Sequence, residues 1–144
     1  RYPRLRDWMM FLGLGIEISM TRNSIFYPYV TSRMKRLIGS WSSHFGTEIE
    51  ISGTDFLDLV VQDMPYLDGG DLFKKAAARI RLIPQTRNLS VVFSTALREL
   101  HEEGLLKLNA YGDAAYSISL FPDQTQKISS FISVTLIDVK TAND

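Results

Sequence analysis

The chain has 144 residues, 45% hydrophobic and 22% charged, with sixteen basic side chains matched by sixteen acidic ones; this suits one ordinary domain large enough to bury a core, or two small ones. An aromatic content of 11% and only five prolines exclude disordered, collagen-like and linker character. No cysteine is present, which removes disulfides, thiolate metal sites, cysteine nucleophiles and thiol redox chemistry together and suits the cytoplasm, the expected location.

No apolar run approaches the roughly eighteen residues that a spanning helix needs, and Arg1, Arg4 and Arg6 precede no signal-type apolar core, so no membrane partner is expected. The chain opens on Arg1 and enters a helix-like pattern at once, which leads us to expect a piece of a longer protein. The zero net charge hides blocks. Arg1 to Arg36 holds seven basic and two acidic residues, and Leu37 to Asp71 holds seven acidic and no basic ones. Leu72 to Arg98 holds six basic residues and no carboxylate, while Glu99 to Asp144 has seven acidic and three basic residues. Either the blocks pack beside one another and neutralise, or one of them forms a basic face for phosphates.

Leu5, Trp8, Met9 and Leu12 fall at helical spacing after Pro3, and Gly13 and Gly15 end that run. Ile16-Glu17-Ile18 alternates, Thr21 to Ser24 supplies turn chemistry and Ile25-Phe26-Tyr27 resumes, which predicts a hairpin limited by Pro28. Val30, Met34, Leu37, Ile38 and Trp41 predict an amphipathic helix with a basic outer face, fraying through Ser40, Ser42 and Ser43 before Gly46. Thr47 to Ser52 alternates as a short strand or an extended segment. Thr54 is read as the N-cap of a helix carrying Phe56, Leu57, Val60, Val61 and Met64, which Pro65 stops.

Asp68 to Asp71 reads as a turn with a cap for a helix from Leu72 to about Ile83, ended by Pro84. Asn88 or Ser90 caps the next helix, lined by Val92 or Phe93, Leu97 and Leu100, and Gly104 ends it in the left-handed conformation. Leu106 to Leu108 and Ala115 to Leu120 read as two strands joined by Asn109 to Ala114, a second hairpin. Past Pro122, Asp123 is expected to cap a final helix presenting Ile128, Phe131, Ile132, Leu136 and Val139. The β-branched residues make a strand from Phe131 to Val139 the rival.

Helix, short polar turn, helix, Gly104-Leu105-Leu106 and then a hairpin is a familiar order, and the stretch LSVVFSTALRELHEEGLLKLNAYGDAAYSISL resembles the winged helix-turn-helix family. The resemblance covers Asp71 to Leu120, about a third of the chain. It implies that Ser94, Thr95, Arg98 and His101 lie on the groove-facing side of a recognition helix, with Arg98 the best base or phosphate contact. It makes Lys107 and the Asn109 to Asp113 tip the wing, and Lys74, Lys75, Arg79 and Arg81, with Arg87 in the same basic run, the phosphate-positioning set. DNA-binding wings commonly carry arginine or lysine at the tip; here stand Tyr111, Gly112 and Asp113, with Glu99, Glu102 and Glu103 nearby. A winged helix that docks proteins or dimerises is therefore the alternative.

Leu5-Arg6-Asp7-Trp8 before Gly13 to Ile18 parallels Leu97-Arg98-Glu99-Leu100 before Gly104 to Leu108. Chance similarity of two helix-to-hairpin joints is the favoured explanation, and an internal repeat of winged-helix units is the rival. The Trp8 to Gly15 segment and Pro65-Tyr66-Leu67-Asp68-Gly69-Gly70 also resemble accessory proteins of bacterial DNA-modification and phage-defence clusters.

His44 and His101 stand far apart, outside zinc spacing, and are read as surface or structural. Ile18 stands where a dinucleotide loop beginning at Gly13 needs its third glycine, and no Gly-Lys-Ser or Gly-Lys-Thr occurs. Asp63, Asp68 and Asp71 match no calcium loop, and capping explains Asp68 or Asp71 more simply. Glu102 and Glu103 sit on a solvated helix end, and no serine has a sequence-local base. No catalytic residue, cofactor or metal is expected; a catalytic fragment completed from elsewhere is the third class considered. Trp8, Phe11, Phe26, Tyr27, Tyr29 and Trp41 crowd the first third, with core packing the default and an interaction surface the rival.

The sequence thus predicts a mostly α, α+β architecture. Residues 1–46 form a helix-hairpin-helix segment, one reading of which is the tail of a preceding winged-helix unit. Residues 47–144 form a winged-helix domain with a C-terminal helix. The expected function is that of a non-enzymatic DNA-associated module of a larger bacterial-type protein, in DNA modification or phage defence. Its expected partners are double-stranded DNA and a protein or second copy.

Overall fold

The computed structural model describes residues 2–46, 48–83, 85, 87–125 and 128–137. Pro84 and Val139, a helix stop and a face residue in the reading above, lie outside them. The fold is mostly α, of the α+β class, with small antiparallel sheets. No helix among the described residues is long and apolar enough to cross a membrane.

The first helix, α1 (Tyr2–Phe11), ends at Gly13, whose φ of 72° favours glycine. Its N–H reaches Met10 O at 3.0 Å and Leu14 N–H reaches Met9 O at 2.8 Å, satisfying carbonyls that the helix leaves open. The expected hairpin follows as β1 (Gly15–Ser19) and β2 (Ser24–Pro28), with Ile16 opposite Tyr27 and Ile18 opposite Ile25. Arg6 ties α1 to the hairpin, donating to Glu17 Oε1 at 2.9 Å and to Ser24 Oγ at 3.0 Å. This unit keeps much apolar surface in water, including Trp8, Phe11, Ile18 and Ile25. Of the six aromatics of the first third, Trp41 packs in the core, Phe26 and Tyr29 are half-buried, and Trp8, Phe11 and Tyr27 are exposed, so core packing accounts for only part of the set.

Helix α2 (Thr31–Phe45) buries Met34, Leu37, Ile38 and Trp41 at three- and four-residue steps. After β3 (Glu50–Ser52) comes α3 (Gly53–Asp63), which buries Phe56 and Val60. Its N-cap is Ser52, whose Oγ accepts the Asp55 N–H at 3.2 Å; Thr54, the expected cap, lies inside the first turn. The helix begins that early because Gly53 fits under the last strands: a Cβ there would stand 2.7 Å from Ile118 Cδ1 and 2.8 Å from Ile132 O.

Helix α4 (Asp71–Arg79) stops before the expected Ile83, and Arg81 turns left-handed at φ 55°. Ile80, Leu82 and Ile83 are exposed, so no burial rewards further helical turns. Helix α5 (Val91–Glu102) is capped by Ser90 and closed by Gly104 at φ 75°.

The C-terminal region departs from expectation twice. Strand β4 (Leu106–Asn109) does not form a hairpin with the next extended segment, which contains a 3₁₀ turn over Ala114–Tyr116 and β5 (Ile118–Ser119). Two strands, β6 (Ser130–Phe131) and β7 (Ser133–Leu136), stand where the final helix was expected. β5 pairs with β6, and β7 lies between β3 and β4 with Val134 opposite both Ile51 and Leu108. A strand wins because Val134 and Thr135 of β7 are β-branched and its central position satisfies the backbone on both sides.

The core joins Met34, Ile38 and Trp41 of α2 to Phe56 and Val60 of α3, Phe93, Leu97 and Leu100 of α5, and Leu106, Val134 and Leu136 of the sheet in one cluster. Trp41 meets Phe56 edge-on at 6.0 Å. The cluster runs across Gly46, the expected domain boundary, because α2 is one of its walls.

Candidate nucleic-acid interface

The expected contacts on α5 split into two groups. Ser94 is fully buried, and its Oγ accepts the Phe121 N–H at 2.8 Å. Arg98 is only 7% exposed. Its Nη1 donates to Phe121 O at 2.7 Å, while Nη2 and Nε donate to Ile128 O at 3.1 and 3.3 Å. The side of α5 expected to face a groove is therefore covered by the chain's own segment around Phe121 and Ile128. Thr95 is half-buried beside this segment, in a cleft that it shares with Phe121, Pro122 and Asp123. His101 is half-buried, and its Nδ1 accepts the Leu108 N–H at 3.2 Å, joining α5 to β4.

The remaining predicted contacts lie outside. Lys107 is exposed on β4. Lys74, Lys75 and Arg79 are exposed on α4, followed by exposed Arg81. Only Ala77 of α4 is buried, so helical spacing leaves the cationic positions on the water side. Arg87 is exposed and donates from Nη1 to the carbonyl of Ala115. Lys74 also borders a cleft that contains Asp58 and Asp68, which moderates the positive field at that end.

Asp68 is held by the start of α5. One oxygen accepts the Ser90 N–H at 2.5 Å and the other the Ser90 hydroxyl at 2.6 Å, so the carboxylate fixes the α5 cap. The expected cap on α4 is not formed: its N-cap position is Gly70, with no side-chain cap, and Asp68 instead buttresses Ser90, the N-cap of α5. His44 Nδ1 lies 2.9 Å from Ser40 O within its own helix.

A second cationic surface, on α2, escaped selection of individual residues although the helix was expected to have a basic outer face. Lys35 pairs with Glu103 at 2.8 Å, and the Thr31 hydroxyl donates to Glu99 at 2.5 Å, both joining α2 to α5. The Glu99 carboxylate hydrogen-bonded to Tyr29 pushes that phenol up, and burial adds to the effect. Arg36 has neither a hydrogen bond nor an ion pair among the described residues. The concentration of aromatics just upstream was the available clue.

The geometry is that of a small, mostly helical α+β fold with exposed cations on α4 and with Ser94 and Arg98 of α5 turned inward. The chain belongs to the DpdG-like family, whose model matches residues 1–114. This membership accords with an accessory protein of a DNA-modification cluster. No curated protein and no solved structure gives a significant match.

Proposed function

We propose that this chain is a non-enzymatic DNA-associated module of a DNA-modification system, in the winged-helix manner, and that it holds duplex phosphates through Lys74, Lys75 and Arg79 with Arg81 and Arg87. The carrying observation is the exposed basic run itself: Leu72 to Arg87 holds five cations and no carboxylate, all five exposed. Such a run meets the charge demand of a phosphate backbone. Lys107 on the sheet edge extends the set. The association of the DpdG-like family with DNA-modification (Dpd) systems supports the setting, and phage defence is the process expected with it.

The winged-helix reading draws support from helices α3 to α5 flanked in the chain by strands of one antiparallel sheet, β3 before them and β4 and β7 after, in the order β3-β7-β4. Ser94 and Arg98 leave the set of contacts in this proposal, since their polar atoms already serve the fold. The burial of that side, together with a Tyr111 that is 87% exposed next to Asp113, favours a second reading, a winged helix that binds a protein partner or a second copy. Duplex titration separates the two. DNA binding predicts an affinity that falls by orders of magnitude between about 50 and about 200 mM salt. Salt-insensitive self-association without duplex binding would sink it and support the second reading.

A further inference from the structure

A cleft of about 970 Å³ lies between α1, the start of β1 and α2, with Met10, Phe11, Ile16 and Tyr29 on its apolar side and Lys35 and Arg36 on its cationic side. Its size is that of a small-molecule or single-nucleotide site. No carboxylate is among its described lining residues, but Lys35 is already paired with Glu103, which leaves Arg36 as its unpaired cation among the described residues.

Three features of its lining have no use within the fold. Phe11 is 79% exposed, with Trp8 edge-on to it at 6.0 Å, so a large ring stays in water although burying it would be favourable. Arg36 is unpaired among the described residues, and its Nη2 lies 3.0 Å from where a Cβ on Gly13 would stand. Gly39 sits in the interior of α2, where glycine costs about 1 kcal/mol relative to alanine. A Cβ there would meet nothing within 4 Å, so packing does not require the glycine. What it does is keep the cleft floor open, with Gly13 and Gly15 on the facing side.

An open floor, an exposed ring and an unpaired guanidinium without opposing carboxylates fit a flat aromatic group joined to an anion. We propose that this cleft binds single-stranded DNA, with a base stacked on Phe11 over the glycine-lined floor and the adjoining phosphate on Arg36. Stacking on an exposed aromatic beside a cationic wall is how single strands are held without sequence preference. An acidic peptide would satisfy Arg36 but leave Phe11 and the bare floor without a planar partner. The hydroxyls of Ser42 and Ser43 already donate to the helix carbonyls of Gly39 and Ser40 at 2.9 and 2.7 Å. Their protons are therefore committed, but their oxygens still accept, so the cleft lining does not choose between ribose and deoxyribose; DNA is the strand proposed because this inference rests on the DNA-associated reading above.

The site is separate from the α4 cations, and so is its test. The probe is a labelled twelve-nucleotide oligothymidylate, titrated against the whole chain by fluorescence anisotropy at about 50 mM salt. Gly39→Leu fills the floor with a strong helix former, so binding is expected to weaken at least tenfold while the melting temperature holds or rises. Phe11→Ala is expected to weaken binding at least fivefold, and Arg36→Gln to lower the log–log salt slope by about 0.7. Lys74→Ala/Lys75→Ala is expected to leave this binding unchanged while weakening duplex binding. The proposal is overturned if the oligomer does not bind, if Gly39→Leu binds it as the natural chain does, or if the α4 variant loses it equally. Equal competition by a poly-glutamate peptide overturns the assignment to single-stranded DNA.

Discussion

The Arg98 guanidinium is bonded to the carbonyls of Phe121 and Ile128, so its loss unmakes three charge-assisted hydrogen bonds between α5 and this segment. Arg98→Ala is expected to lower the unfolding free energy by about 3 kcal/mol, the scale of a buried charged group with several hydrogen bonds. Urea titration reads it, and a variant as stable as the natural chain would show that the clamp is idle. Arg98→Lys should recover less than half, since one ammonium cannot reproduce the planar fork. Tyr66 is the opposite case. Its buried hydroxyl has no partner in good hydrogen-bond geometry among the described residues, and burial pushes the phenol up while the nearby Arg33 opposes the shift more weakly. Above the ordinary tyrosine range the unfolded chain ionises first, so the native state binds more protons and stability falls as pH rises. Tyr66→Phe is expected to be neutral or stabilising by up to about 1 kcal/mol and to flatten that alkaline fall in urea titrations at rising pH. Caps such as Ser90 and the left-handed Gly104 were legible in the sequence because their causes lie within a few residues. Arg98 was not, because a groove contact and an internal clamp require the same residue at the same spacing.

Two helical glycines have opposite packing, and their substitution should carry opposite signs. Gly53→Ala gains helix propensity but drives a Cβ to within 2.7 Å of Ile118 and 2.8 Å of the Ile132 carbonyl, so a loss of about 1 to 3 kcal/mol is expected. Gly39→Ala meets nothing and should gain up to about 1 kcal/mol. Thermal melts of the two variants check both signs, and movement in the same direction would refute the packing argument. Among strands, β7 is the linchpin: Val134 is fully buried and stands opposite Ile51 on one side and Leu108 on the other. Val134→Ala should cost about 2 kcal/mol, read by urea unfolding. The helices were legible in the 3.6-residue periodicity of residues such as Met34, Ile38 and Trp41, a property of each segment alone. The pairing of Leu108 with Val134 was not, since Ile118 offers β4 an equally apolar and nearer candidate.

Across the whole molecule the charge blocks part ways. The basic block around α2 meets the acidic end of α5 through Lys35 and Glu103, so there neutralisation by packing holds; as an exposed pair this contact is worth at most about 1 kcal/mol. The block from Leu72 to Arg87 keeps its exposed cations, which is why the proposed duplex surface lies there. Lys74→Ala/Lys75→Ala is expected to reduce the log–log salt slope of duplex binding by about 1.8, from two phosphate contacts. An unchanged slope would remove α4 from the interface.

Composition, periodicity and turn chemistry were enough to determine a mostly helical α+β chain, its first hairpin, the five helices and the basic run of α4, because each depends on neighbours in sequence. Only the tertiary structure decided that Ser94 and Arg98 turn inward, that β7 replaces a helix, and that Phe11, Arg36 and Gly39 surround one cleft. Those outcomes depend on which distant segment covers a given face, and burial by a remote strand or loop leaves no periodic mark on the residues it covers.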